Sequence, residues 1–252
     1  MLRQQLDDVR ERIQNTCRRA GRDSSTVTLI GVTKRVPLPI IQAVVALGLT
    51  DVGESRVQEA ETKRQEIDAW LRAQGSGLGV VARSPQPPAQ SGFRVRWHLI
   101  GHLQRNKAKR AVELFDVIHS VDSRELIHDL ERHAASGRVI PMLIQVNVSG
   151  EAAKFGCRPE QVATLAEAAN SSAHLRLMGL MTIAPYADDA EASRPHFHRL
   201  RELRDAVDPT LKLSMGMSHD FEVAIEEGAD FVRVGTAIFG DPRPETRDPR
   251  PR

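Results

Sequence analysis

Lys34 stands where the apolar run VTLIGVT gives way to Lys-Arg-Val-Pro. An amine at the end of such a strand can condense with an aldehyde to a Schiff base once its pKa is lowered, and the neighbouring cation Arg35 works in that direction. The competing reading is a solvated lysine, one of 35 Lys and Arg residues. Near the other end of the chain, Ser218, Gly235 and Thr236 fall in two turns that each follow an apolar run. Backbone N–H groups and short hydroxyls in such turns hydrogen-bond a phosphate, and Gly235 lets the backbone come close. Arg233 interrupts the apolar run FVRVG, where a charge is costly unless it is paired. Facing inward, it meets an anion or a heterocyclic nitrogen; facing outward, it meets the surrounding helices and a carboxylate such as Glu226.

These residues need a frame. Short β-branched runs at Val27–Thr33, Asp51–Glu54, Trp97–Gly101, Val117–Val121, Ile140–Val148, Leu175–Ile183, Leu211–Met217 and Phe231–Gly235 read as strands. Helical patterns separate them, among them Ser123–Ser136, Pro159–Asn170, Glu191–Val207 and Phe221–Glu227. Ser123 reads as an N-cap, and Pro159 opens a helix where its missing N–H is harmless. Strict β/α alternation with several continuous apolar strands predicts a single-domain (β/α)8 TIM barrel over residues 1–240. A doubly wound open sheet is the competing architecture. An extra N-terminal helix carries Leu2, Leu6, Val9, Ile13 and Cys17 on one stripe and stops at Gly21. It is expected to cover part of the eighth outer position. Residues 75–94, rich in Gly and Pro, read as a long flexible loop, and 241–252 as a disordered tail. In such barrels the site lies at the C-terminal strand ends, where Lys34 and the turns after the seventh and eighth strands would meet.

Composition narrows the function. The chain has 252 residues, 40% of them hydrophobic and 27% charged, which is ordinary for a soluble globular protein. A net charge of +2 and 4% aromatics argue against a dedicated nucleic-acid binder. Two cysteines without a CxxC pattern fit a reduced, cytoplasmic protein. The N-terminus lacks an apolar signal region, and the run IIQAVVALGL is too short to span a bilayer.

The stretches GVTKRVP, VGESRVQEA, WHLIGHLQRNKAK, QVNVSGEAAKFGC, GLMTI and LSMGMSHDFEVAIEEGADFVRVGTAIFG, in this order from Val27 to Gly240, resemble the pyridoxal 5′-phosphate (PLP) homeostasis proteins. These are fold type III PLP-binding barrels similar to the N-terminal domain of alanine racemase. The resemblance implies that Lys34 holds PLP as a Schiff base. It puts Ser218, Gly235 and Thr236 in the phosphate cup, Arg233 beside the pyridine nitrogen, and Asn147 and Met215 near the ring. An arginine there makes the ring a poorer electron sink than a carboxylate partner would. The implied function is PLP binding in intracellular homeostasis, by a monomer, with PLP-dependent apoenzymes as recipients and neither nucleic acid nor membrane as partner.

The alternative is an amino-acid racemase or another PLP enzyme of this fold type. Racemisation needs two opposed acid/base groups. In alanine racemase the second is a tyrosine near a further β-rich domain, for which this chain has no room after its eighth strand. Its single tyrosine, Tyr186, sits in a Pro-containing turn after the sixth strand and is not expected to reach the cofactor. A third reading, a structural or nucleic-acid-associated barrel, leaves Lys34 incidental.

Two motifs depart from the family pattern: Gly53-Glu54-Ser55 replaces GEN, and Gly101-His102-Leu103-Gln104 replaces GPLQ. His102 is thus either an acid/base group at the mouth or a solvated loop histidine. The basic run Arg105–Arg110, without aromatics, reads as a solvated helical face. His196 and His198 diverge on a helix, and His98 and His102 bridge a strand and its turn, so no metal site is expected. No Walker-type loop, GxGxxG or GxSxG motif is present.

Overall fold

In the computed structural model, residues 1–75, 94–134 and 137–241 are described. The predicted loop over 75–94 and tail over 241–252 lie, apart from their edge residues, outside them, as do the last two positions of the helix predicted over 123–136.

The elements follow one another as α1 (Leu2–Arg19), β1 (Thr28–Val32), α2 (Leu38–Ala46), β2 (Asp51–Glu54), α3 (Val57–Gly75), β3 (Arg96–Leu99), α4 (Ala108–Leu114), β4 (Val117–Val121), α5 (Arg124–Ala134), β5 (Ile140–Gln145), α6 (Val162–Asn170), β6 (Leu175–Met181), α7 (Arg194–Val207), β7 (Lys212–Met217), α8 (Phe221–Glu226), β8 (Phe231–Val234) and α9 (Thr236–Phe239). All eight strands are parallel and close into a barrel, β8 returning to β1 through Thr28↔Phe231 to Gly31↔Val234. This is the expected (β/α)8 architecture, and closure rules out the open sheet.

Two differences in boundaries have local causes. β5 ends at Gln145 because the chain then turns out to bridge Val146 to Cys157. Pro159 opens a 3-10 turn, Pro159–Gln161, that leads into α6. The Ser123 cap forms as read, its Oγ accepting from the Leu126 N–H at 3.3 Å.

Side chains alternate across each strand. Ile30, Val117, Leu143, Met181 and Phe231 point inward and fill the barrel with the half-buried Met178. Val52, Trp97, Ile118, Leu180, Leu213, Met215, Val232 and Val234 belong instead to the larger cluster that packs the barrel against its helices. The α1 stripe buries Leu6, Val9, Ile13 and Cys17 as predicted, with Thr16 beside them. The helix lies on α8 and α9, next to the short closing segment of the barrel. Arg12 fastens it, donating to both Glu222 carboxylate oxygens (3.0 and 2.8 Å) and stacking 4.5 Å over the Phe221 ring. Gly21, at φ +64°, supplies the left-handed residue that lets the Arg22 N–H close on the Cys17 carbonyl at 2.8 Å. Among the described residues, no helix is long and apolar enough to cross a membrane.

Candidate functional site

A cavity of about 670 Å³ opens at the C-terminal ends of β7, β8 and β1. Strand parity explains how it is furnished. In β1, Ile30 faces inward, Val32 lines the cavity two residues on, and the exposed Lys34 follows at the mouth with the same parity. In β8, Phe231 faces inward and Arg233 and Gly235 repeat that orientation, both lining the cavity. The loops after β7 and β8 add Ser218, His219 and Thr236. Five of the residues singled out in the sequence, Lys34, Ser218, Arg233, Gly235 and Thr236, thus share one cavity.

The turn carrying Lys34 is held from behind. Arg35 adopts φ +60°, a region that a residue with a side chain enters at a cost of about 1–2 kcal/mol. Its N–H donates to Glu59 Oε1 at 2.8 Å. Lys63 Nζ donates to that same oxygen (2.6 Å), to Glu54 Oε1 (2.8 Å) and to the Thr33 carbonyl (2.6 Å). The Thr33 hydroxyl donates to Glu54 Oε1 at 2.6 Å. Burial pushes the Glu54 carboxyl up, against the pull of Lys63 and Thr33. A clamp from β2 and α3, buried at Glu54 and half-buried at Lys63 and Glu59, therefore fixes the backbone on both sides of Lys34.

On the opposite wall, Ser218 Oγ accepts from the Gly235 and Ala237 N–H groups at 3.1 and 3.4 Å. These bonds occupy its lone pairs and leave its own proton for an acceptor. Gly216, one turn of backbone earlier, is at φ +88°, and a Cβ there would stand 2.6 Å from the Ala224 Cβ. That position lets β7 lie directly on α8 and aims the Ser218 turn at β8.

Arg233 is only 3% exposed. Its Nη1 donates to Ser214 Oγ at 2.7 Å and its Nη2 to the Thr182 carbonyl at 2.8 Å. Neither partner is a carboxylate, and burial brings the guanidinium down to about 10. A buried cation whose contacts are neutral is suited to an electron-rich ligand. The outward reading fails, since Glu226 pairs with Arg194 on the barrel's outside.

Other expectations are corrected. Met215 is fully buried on the outward face of β7 with Leu213, so its side chain packs on the helices and not on the cavity. Asn147 is consumed by its own loop: its Nδ2 donates to the Glu151 carbonyl (2.9 Å) and its Oδ1 accepts from the Gly150 N–H (3.1 Å). His102 is neither at the cavity nor simply solvated. Its ring stacks on Phe155 at 3.9 Å and its Nδ1 stands 3.6 Å from Asp122. Ser55 does not line the cavity either, its backbone packing against Gly101. Tyr186 reverses the other way: it lines the cavity, 80% exposed, with its ring 5.7 Å from that of His219. The two arginines of the basic run are paired, Arg105 with Asp129 and Arg110 with Glu61 and Glu113. Among the described residues, no three His, Cys, Asp or Glu side chains are grouped to hold a metal.

Sequence reading missed the Glu54–Lys63–Glu59 clamp and the inward histidines His98 and His119. The alternation of Trp97-His98-Leu99 and of Val117-Ile118-His119 carried the signal for the latter.

The family model described as alanine racemase, N-terminal domain, matches residues 5–243. The pyridoxal phosphate homeostasis protein of Aquifex aeolicus is 39% identical over 94% of this chain and 97% of its own. That of Pseudomonas aeruginosa is also 39% identical, over 92% of each. PipY of Synechococcus elongatus, in a structure with PLP bound, is 32% identical, with a TM-score of 0.74 over 95% of this chain and 100% of that one. An alanine racemase of Clostridium difficile shares the fold at 15% identity, with a TM-score of 0.67 over 97% of this chain and 57% of the enzyme. By sequence over nearly its whole length, the chain belongs to the alanine racemase N-terminal domain family and, within it, to the pyridoxal phosphate homeostasis proteins.

Proposed function

We propose that this protein binds PLP at the β7–β8–β1 rim and serves its cellular homeostasis as a carrier of the cofactor. The observation that carries this reading is the shared cavity of Lys34, Ser218, Arg233, Gly235 and Thr236. A phosphorylated aromatic aldehyde needs an amine for its carbonyl, hydroxyl and backbone donors for its phosphate, and a donor for its ring nitrogen. This wall offers each. PLP, when bound, supplies an aldehyde and an electron-accepting ring.

Lys34 would hold PLP through its aldehyde, which supplies carbonyl chemistry toward a neutral amine at that position. The clamp behind the turn holds that amine at the mouth. The Ser218 and Thr236 hydroxyls and the Gly235 turn bind the phosphate, and Arg233 donates toward the ring nitrogen. A protonated Arg233 would leave the ring nitrogen of bound PLP unprotonated and would support carbanion chemistry poorly, which favours carriage over turnover. The relatives' names describe homeostasis, which agrees with that preference. We assign the carrier to the cytoplasm as a monomer, with PLP-dependent apoenzymes as its recipients.

The purified chain with added PLP gains a visible absorption band distinct from that of the free cofactor, and borohydride fixes the cofactor to Lys34, as read by peptide mass spectrometry. Lys34→Ala loses both. Fixation at another lysine, or no band with the native chain, overturns the assignment.

A second reading, racemisation, is favoured by the presence of Tyr186 and His219 in the same cavity. Loss of optical activity of alanine or serine that is sustained by the native chain and abolished by Tyr186→Phe would establish it.

A further inference from the structure

Behind Arg233 a single file of hydrogen bonds crosses the barrel interior. Ser214 Oγ is 2.9 Å from His119 Nδ1, His119 Nε2 is 2.9 Å from His98 Nδ1, and His98 Nε2 is 2.9 Å from Asp51 Oδ1. Asp51 Oδ2 in turn accepts from the Thr50 hydroxyl at 2.7 Å and from Arg96 Nη2 at 3.1 Å, and the Arg96 Nε stands 2.8 Å from Oδ1. The file starts at the cavity on β8, passes through β7, β4 and β3, and ends at the opposite end of β2. Phe231 packs on both rings, at 6.1 Å from His98 and 5.4 Å from His119, and Ser214, His119 and His98 are all fully buried. Every step of it is a direct side-chain contact.

Proton bookkeeping gives the file one direction. Arg233 can only donate, so Ser214 Oγ accepts from it. Among the described residues, the hydroxyl proton of Ser214 has one acceptor, His119 Nδ1. His119 is then protonated at Nε2, which donates to a bare His98 Nδ1, and His98 Nε2–H donates to the Asp51 carboxylate. In the opposite arrangement a cationic His98 donates to His119, and the Ser214 proton is left buried without a partner, at about 1–3 kcal/mol. Burial, with His98 and Arg233 nearby, holds His119 well below its ordinary value and so neutral. Burial opposes ionisation of Asp51, but its bonds to His98 and Thr50 and the Arg96 charge outweigh that, so it stays a carboxylate.

We propose that Asp51, His98, His119 and Ser214 are positioning residues, a one-way hydrogen-bond chain that holds the Arg233 guanidinium as a donor toward the cavity and couples its charge to a carboxylate across the barrel. None of the four lines the cavity. The chain commits Nη1 to Ser214 while Thr182 commits Nη2, so the guanidinium has no rotational freedom when the ring nitrogen arrives. This step rests on the reading that the cavity takes PLP, but the chain itself exists without it.

The test has two arms. Nitrogen-15 NMR of histidine-labelled, cofactor-free, full-length protein near neutral pH reads the tautomers, His98→Asn and His119→Asn assigning the signals. Both rings should carry their proton on Nε2. An imidazolium at His98 or a proton on His119 Nδ1 overturns the direction, whether or not PLP binds.

The second arm titrates PLP into Ser214→Ala, which removes one oxygen. Its affinity should fall about tenfold, the effect of losing one hydrogen bond to a charged group. Its bound-cofactor absorption maximum and the His119 Nδ1 signal should shift together. Ser214→Thr, which restores the hydroxyl, should restore all three. Native affinity and spectrum in Ser214→Ala overturn the coupling to the site. A native protein that takes up no PLP defeats the proposed function and leaves the first arm to decide the chain. If Ser214→Ala does not fold, His98→Gln read by the same spectrum replaces it: an unshifted maximum there counts against the proposal equally.

Discussion

The two arcs of the barrel rim treat their polar groups in opposite ways. On the β3–β5 arc most are turned on one another, Gln145 Oε1 being an exception: His102 stacks on Phe155, Gln145 Nε2 donates to the Phe155 carbonyl at 3.1 Å, and Asn147 ties residues 149–151 into a turn. The Cys157 thiol beneath is pushed up to about 12 by burial and by Asp122, which makes it inert. On the β7–β8–β1 arc the backbone is fastened from the rear, by Lys63 and Glu59 on one side and α8 on the other. The side chains that reach the cavity are left with donors to spare. Equivalent positions on one barrel thus become scaffold or site according to where their hydrogen bonds are completed.

The sharpest way to break that contrast is Ser218→Ala. Ser218 both accepts from the β8 turn and offers its proton to the cavity. Losing it should lower PLP affinity by roughly ten- to thirtyfold, about 2 kcal/mol for a charge-assisted bond, while thermal unfolding shifts far less. Inorganic phosphate should compete with PLP in the native chain and much less in the variant. An equal loss of stability and affinity would make Ser218 part of the scaffold, and the two arcs would no longer differ.

A smaller effect separates the site from the interior behind it. His119 is held well below its ordinary value of 6.5, first by burial and then by His98 and Arg233. The unfolded chain therefore takes up a proton near pH 6.5 that the native state refuses. The stability this group provides is complete above that pH and falls as pH drops below it, by at most about 1.4 kcal/mol per pH unit. In His119→Gln this segment of the stability curve should flatten, as followed by urea unfolding from pH 7.5 to pH 5. An unchanged slope would mean that the ring titrates normally and is not sealed in the barrel.

What could be read in advance follows the period of the elements. Eight strands and the α1 stripe were legible because burial on both faces, or on one stripe, imprints itself on consecutive residues. Lys34, Arg233 and Gly235 were legible for a related reason, since each closes or continues a strand whose parity is set by its neighbours. Met215 was misjudged although Leu213 and Ser214 showed its parity: a strand end was equated with a cavity wall. That His98, His119 and Arg233 face inward is legible in the alternation of their strands, but that they join in one chain to Asp51 is not. It depends on which residues of β3, β4 and β7 meet across the interior, and that is fixed by barrel register and stagger, not by any single segment. Tyr186 was misjudged because its loop folds back over the rim, a path that local turn chemistry does not state.

The mildest prediction concerns the arc without a cavity. Asn147→Ala removes the bond to the Glu151 carbonyl and the acceptor of the Gly150 N–H, in a turn that water reaches, so stability should fall by about 1 kcal/mol. PLP affinity should stay within about twofold, because a ligand cannot lose a contact that the loop has already used for itself. A fall matching that of Ser218→Ala would mean that the 149–154 loop opens toward the ligand, and that the β3–β5 arc is a second wall of the site held shut by its own side chains.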